Sequence, residues 1–251
     1  MSSYKFYYIN LDKSTDRKDF MEDQFAKFGI DIERFSATYG KSLDIRELRN
    51  HKKGHQILAH FPYPNDGEIG ICLTHFELWK SIANQKEDFA IVLEDDALVN
   101  EDLFRDLEDL LADLKTDEFL DISGKKGFYP LTKTESFCIY LMPPVLMIGQ
   151  IIGKEAAKKL SQNLPNYYAP IDVMKQDVYK HQVPLKNTIK SYVKTNDFNI
   201  GGTTIQQRGL PIYKKIIREL VRPFWQIFTL FTYKFRRCFL NYRFYKKRGI
   251  I

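Results

Sequence analysis

The chain opens on a short apolar and aromatic run, Phe6 to Leu11 (FYYINL), followed at once by the polar stretch DKSTDRKD. An apolar run of this length reads as a buried strand, and a stretch rich in Ser, Thr and Asp can cap and begin a helix. Phe20, Gln24, Phe25 and Phe28 then approximate a helical face that Gly29 stops, and Ile32 to Ala37 predicts a second strand ending at Tyr39 and Gly40. This is a strand, helix, strand unit. Residues 41–66 are polar, with His51, His55, His60 and the turn-prone PYPNDG, and predict a loop region with some helix. In IGICLTHFELWKSIANQ, residues Ile71, Thr74, His75, Leu78, Trp79 and Ile82 recur at helical spacing, and FAIVL (Phe89 to Leu93) follows as a buried strand. The pattern continues with a helix from about Asp102 to Leu114, a strand at Phe119 to Ile122, strands in SFCIYLM and VLMIGQIIG, and a helix in KEAAKKLSQNL that Pro165 closes. Such alternation predicts an α/β sheet domain. Residues 188–207 are too mixed to assign.

Two uncharged runs raise the question of a membrane span. Ser136 to Gly153 covers 18 residues, but the adjacent Pro143 and Pro144 split it into two buried strands. Pro223 to Tyr233 covers 11 residues, well short of the ~20 a spanning helix needs. With 251 residues, 44% of them hydrophobic, the chain has material for one large α/β core plus an appendage. Cys72, Cys138 and Cys238 lie far apart, which argues against a disulfide framework and a multi-Cys zinc site and for free thiols in a reducing compartment. Cys72 and Cys138 read as small buried hydrophobes. The start lacks an apolar stretch of signal-peptide length, so the expected location is the cytosol.

Charge divides the chain. Residues 208–251 hold 12 Lys or Arg against one acid, Glu219, a net of +11, whereas the first 207 residues hold 26 basic and 31 acidic groups, a net of −5. The basic segment is interleaved with aromatics from Tyr213 to Tyr245. That combination fits an anionic surface and predicts a mostly helical peripheral anchor over Leu210 to Ile251, with a helical hairpin packed on the core or a dimer interface as its alternative. On the anchor reading, a chain ending at Gln207 would still fold. The expected division is therefore a catalytic domain over 1–207 and a basic amphipathic tail over 208–251.

The sharpest chemical feature is IVLEDDALV, where an apolar strand delivers Glu94, Asp95 and Asp96 at its carboxyl end. That is the edge of an α/β sheet where ligands bind. Three adjacent acids repel one another and call for solvent, Arg or Lys partners, or a divalent cation. Mg2+ or Mn2+ prefers such oxygen ligands and engages phosphate-bearing substrates. The alternative is a solvated strand end or acids that cap the next helix.

At this point a set of ordered blocks resembles glycosyltransferase family 25, the lipooligosaccharide galactosyltransferase family related to collagen galactosyltransferases. They are YYINLDKSTDRKDFM (Tyr7 to Met21), FSATYGKSL (Phe35 to Leu43), GEIGICLTHFELWKSI (Gly67 to Ile82, with Thr74 where Ser is usual), AIVLEDDALV, and GQIIGKEAAKKL followed by APIDVM. The resemblance covers roughly residues 4–185; the region after His181 matches poorly and the basic tail lies outside it. It implies a GT-A fold, a Rossmann-like nucleotide-sugar domain with an acidic metal-binding motif. It further implies inverting transfer of a sugar, most often galactose from UDP-galactose, to a lipooligosaccharide or other glycan acceptor. At the cytoplasmic membrane face such an acceptor would be lipid-linked.

With the family order in view, Asp96 and then Glu94 become the expected ligands of Mn2+ or Mg2+, and Asp95 a donor-sugar contact. Inverting transfer needs a base for the acceptor hydroxyl. Asp172 and Asp177 are the candidates; the resemblance favours Asp172, whose alternative is a helix N-cap after Pro170. Arg17 either contacts phosphate or pairs with Asp12 or Asp16 on a helix surface. Asn10 and Leu11, with Ala37 and Tyr39, lie near the ends of the first two strands, where uracil or ribose would be met. Glu68 and His75 share a side only if their helix already includes Glu68, and His75 is equally a core histidine. His51, His55 and His60 lack a fourth ligand for zinc. Two other classes compete with the enzyme: a membrane-associated nucleotide-sugar-binding protein without turnover, and a nucleic-acid-binding or phosphodiester-cleaving protein, which the acidic body disfavours.

Overall fold

The computed structural model describes residues 2–44, 66–164, 167, 169–196 and 233–251. The first strand, β1 (Tyr4–Asn10), leads through α1 (Thr15–Ala26) to β2 (Glu33–Ser36), and Gly29 takes a φ of 64° where α1 ends. A 3-10 turn at Gly40–Ser42 precedes α2 (Asp66–Asn84), β3 (Phe89–Glu94), β4 (Ala97–Val99) and α3 (Asp102–Ala112). Next come β5 (Phe119–Asp121), β6 (Phe128–Lys133), β7 (Phe137–Met142), β8 (Gly149–Gly153) and α4 (Lys154–Asn163). The short helices α5 (Ile171–Lys175) and α6 (Val178–His181), strands β9 (Leu185–Thr188) and β10 (Val193–Thr195), and α7 (Phe235–Lys247) follow.

Eight strands form one mixed sheet in the order β2-β1-β3-β8-β5-β9-β7-β6, and β4 pairs with β10 in a separate antiparallel ribbon. The β2-β1-β3 part is parallel, whereas β8 runs antiparallel to both β3 and β5. This is the α/β architecture expected from the alternating pattern, with a Rossmann-like parallel unit at its start. Alternation along each strand splits the core in two. Tyr7, Ile9, Ala90 and Val92 face α2 and α4–α7, whose Trp79, Leu160, Met174 and Tyr245 belong to the same cluster. Phe6, Tyr8, Ile91 and Leu93 face α1 and α3, with Phe25, Leu103 and Leu107. Pro143 and Pro144 separate β7 from β8, so the uncharged run is two strands as its prolines require. Among the described residues no helix is long and apolar enough to cross a membrane.

Sequence patterning gives no sign of β6, whose exposed Phe128 and Tyr129 sit in an edge hairpin with no buried face to set a period. The tail also departs from a simple appendage. Within α7, Phe244 and Tyr245 are buried in the same cluster as α2, and Arg237 and Asn241 are buried with them. Helix α7 thus completes the core beneath α5 and α6, so a boundary at residue 207 does not mark its edge. The tail's residues 208–232 and the histidines at 51, 55 and 60 lie outside the described residues.

Candidate active site

The chain leaves β1 through α1 on one face of the sheet to reach β2, then crosses through α2 on the other face to reach β3 on the far side of β1. A topological switch point results at the carboxyl ends of β1 and β3, the crevice where open α/β sheets bind ligands. Asn10 and the Glu94–Asp96 cluster stand at that place, with Ile9 in register with Glu94. Leu11 begins the turn, where its carbonyl accepts the Ser14 N–H at 2.9 Å.

Asp95 follows Leu93 toward the α1 side and is held from two directions. Arg17 of α1 donates through Nη1 to Oδ1 at 2.6 Å, and Asn10 donates through Nδ2 to Oδ2 at 2.8 Å. All three side chains are buried. Arg17 therefore reaches under the sheet edge to Asp95, not to Asp12 or Asp16, because it points from α1 into the core. Asp12 instead pairs with Arg34, whose Nε also donates to Asn10 Oδ1 at 3.0 Å. The expected donor-sugar contact at Asp95 is thus a buried charge pair that fixes the strand ends, and the Asn10 amide is turned into that network.

Glu94 is half-buried and falls by alternation on the α2 side, while Asp96 is buried and accepts Thr195 Oγ1 at 3.0 Å. The Asn196 N–H also donates to the Asp96 carbonyl at 2.9 Å. Among the described residues no three His, Cys, Asp or Glu side chains gather as a metal cage. The donor set is one of carboxylate oxygens at a strand end, which fits Mg2+ or Mn2+ completed by substrate phosphates and water.

The loop after β2 is clamped to α2. Thr38 N–H donates to Thr74 Oγ1 at 2.8 Å, and Thr74 Oγ1 donates to the Gly70 carbonyl at 2.8 Å. A Cβ on Gly70 would lie 2.5 Å from the Thr38 carbonyl oxygen, so glycine permits this approach. Ala37 is tied to β1 by its N–H to the Asn10 carbonyl at 2.9 Å. Two turns thereby meet: Lys13 Nζ stands 4.0 Å above the exposed Tyr39 ring.

Within α2 (Asp66–Asn84), Glu68 is inside the helix and shares a side with His75. His75 is fully buried and without a hydrogen-bond partner among the described residues; burial and then Lys175 bring its pKa down to about 3. It is a neutral ring packed 5.8 Å from Trp79. Asp172, in the first turn of α5, is half-buried and accepts the Val173 N–H at 2.8 Å. Burial raises its pKa, Val173 and Lys175 oppose that, and Glu68 adds to it. Three residues on, Lys175 is bonded to Asp121 at 2.8 Å, both side chains 3% exposed. Gln150 of β8 and Asn187 of β9 stand in register with Asp121 of β5, one on each side.

Asp177 lies apart in function. Its side chain is 0% exposed, and it accepts Arg237 Nε of α7 at 2.6 Å and Tyr233 OH at 3.3 Å. A carboxylate so enclosed and paired anchors α7 and has no face for an acceptor hydroxyl. Sequence reasoning overlooked Asp121 and Lys175, although FLDIS shows the same signal as IVLED, an apolar strand ending in a carboxylate.

The fold and the switch-point carboxylates define an α/β protein of Rossmann-like type with a ligand crevice at the sheet edge. The model of glycosyltransferase family 25 (LPS biosynthesis protein) matches residues 3–143, and the chain belongs to this family. A glycosyltransferase 25 family member of Anopheles gambiae is 27% identical over 179 residues, 66% of this chain and 30% of that protein. Procollagen galactosyltransferase 1-A of Xenopus laevis is 30% identical over 122 residues, 46% of this chain and 20% of that protein. The chain therefore spans less than a third of these relatives' length. A solved glycosyltransferase involved in the glycosylation of the major capsid of PBCV-1 aligns over 62% of each chain at 11% identity, with a TM-score of 0.32.

Proposed function

We propose that the chain is an inverting galactosyltransferase that moves galactose from UDP-galactose to a saccharide or glycolipid hydroxyl, a lipooligosaccharide being the acceptor class in view. Family membership and the galactosyltransferase relatives support the reaction class. The observation that carries the catalytic reading is Asp172, a half-buried carboxyl whose pKa burial raises. Such a group is a better base than a solvated carboxylate and stays reachable for the acceptor proton. Lys175, held by Asp121, stands near enough to favour its charged form. Tyr39 and Lys13 offer an aromatic ring and a cation at the donor end, suited to a nucleobase and its phosphates. Glu94 and Asp96 would hold Mn2+ or Mg2+, which when bound neutralises charge on the departing diphosphate.

Screening UDP-sugars for hydrolysis without acceptor, with and without Mn2+ or Mg2+, tests the donor separately from the acceptor. UDP-galactose should be turned over with metal, and Asp96→Ala should lose that activity. Full turnover by Asp96→Ala in EDTA would reject the metal assignment. Tight UDP binding with no product from any donor or acceptor would favour a binding protein without turnover.

A further inference from the structure

Helix α7 has two faces of different chemistry. Its inner face carries Arg237, Asn241, Phe244 and Tyr245, all buried against the body. Arg237 holds Asp177 at 2.6 Å and Gln176 Oε1 at 2.5 Å, and Asn241 Nδ2 donates to the Leu141 and Gln176 carbonyls at 3.0 and 2.9 Å. The outer face carries Phe235, Phe239 and Tyr242, exposed at 71, 54 and 44%. Arg236, Arg243, Lys246 and Lys247 are exposed beside them. At 3.6 residues per turn these seven fall within a sector of about 140°, opposite the buried stripe. No acid occurs after Glu219.

We propose that this outer face docks the protein on an anionic lipid bilayer. Exposed aromatics on a helix that is already pinned can enter the headgroup region without unfolding anything, while the basic groups beside them meet the lipid charge. The Arg243 guanidinium lies 5.8 Å from the Phe239 ring centroid, so stem and ring can share the interface with the charge outward. A second copy is a poor occupant, since two such faces repel. A nucleic acid is also disfavoured, because a strand leaving the helix would meet a body of net charge −5. Unlike an anchor on a loose tail, this surface has a fixed orientation relative to the sheet. The inference does not depend on which sugar is transferred.

The test is co-sedimentation of the full chain with vesicles of phosphatidylglycerol and phosphatidylcholine, against phosphatidylcholine alone. Two variants accompany it: Phe235→Ser/Phe239→Ser/Tyr242→Ser, and Arg236→Gln/Arg243→Gln/Lys246→Gln/Lys247→Gln. All seven positions are exposed, so both variants should melt where the parent does. The parent should prefer anionic vesicles and lose binding in high salt. The charge variant should bind them at least about 100-fold more weakly, and the aromatic variant about tenfold more weakly. Parental binding by both variants would overturn the proposal. So would tighter binding to a single-stranded oligonucleotide than to anionic vesicles, or dimerisation that the aromatic variant abolishes.

Discussion

Burial holds the Asp172 carboxyl above the usual carboxylate range, and two consequences of opposite sign follow. In the proposed role of base it would act when ionised, so the acidic limb of the transfer rate should lie above that range. For stability, a carboxyl whose folded pKa is raised contributes most below its unfolded value and loses that contribution as pH rises through the folded value. Asp172→Asn should therefore abolish transfer while raising the melting temperature at pH 7, with no gain at pH 3; a lower melting temperature at pH 7 would reject the burial argument. Asp95 makes the contrasting case. Its loss in Asp95→Ala removes the buried carboxylate that Arg17 and Asn10 both hold, and denaturant unfolding should show a cost of about 3 kcal/mol. Asp96→Ala, at the proposed metal ligand, should lose metal-dependent hydrolysis, which the UDP-sugar assay reads directly.

At the scale of elements, the close approaches are what place the site. A Cβ at Gly70 meets backbone oxygen and nitrogen of residues 38 and 40, neither of which can swing aside. Gly70→Ala should cost about 1–3 kcal/mol by overpacking and should weaken UDP binding by displacing the turn that carries Tyr39; calorimetry with UDP measures both. Helix α7 is fastened through the Arg237–Asp177 pair, with side chains 3% and 0% exposed. Arg237→Ala takes the guanidinium from Asp177 and Gln176 while Lys180 still holds Asp177 at 3.0 Å, and the expected loss is about 3 kcal/mol by chemical denaturation. A chain ending at Gln207 removes Phe244 and Tyr245 as well as that arginine, so it should fail to fold stably. This differs from what a free tail predicts.

Over the whole molecule, acid stability should be set in part by two buried imidazoles. Burial brings His75 to about 3 and His181 to about 4, the latter with Nε2 2.9 Å from the Lys175 carbonyl. Between those values and the ordinary histidine range the unfolded chain binds protons that the folded one refuses, so stability falls as pH falls. Each contributes a slope of about 1.4 kcal/mol per pH unit. Unfolding free energies from pH 7 to pH 5 should decline accordingly, and His75→Gln should flatten the decline; an unchanged slope would mean that the ring is protonated in the fold.

Much of this was written in the pattern of the chain. The runs FYYINL and FAIVL, the amphipathic stretch around Trp79 and the paired prolines at 143 and 144 fixed the main strands and helices, because burial imposes its period locally. The strand ending in Glu94, Asp95 and Asp96 announced the site for the same reason. What the sequence could not decide was which acid meets which partner. Asp95 and Arg17 are 78 residues apart, Asp121 and Lys175 are 54 apart, and Asp177 and Arg237 are 60 apart. Pairings at such separations depend on strand order and on the face each helix covers, and no local period encodes either. The same holds for α7: its basic and aromatic residues were visible from the start, but only packing decided which of them close the core and which remain outside.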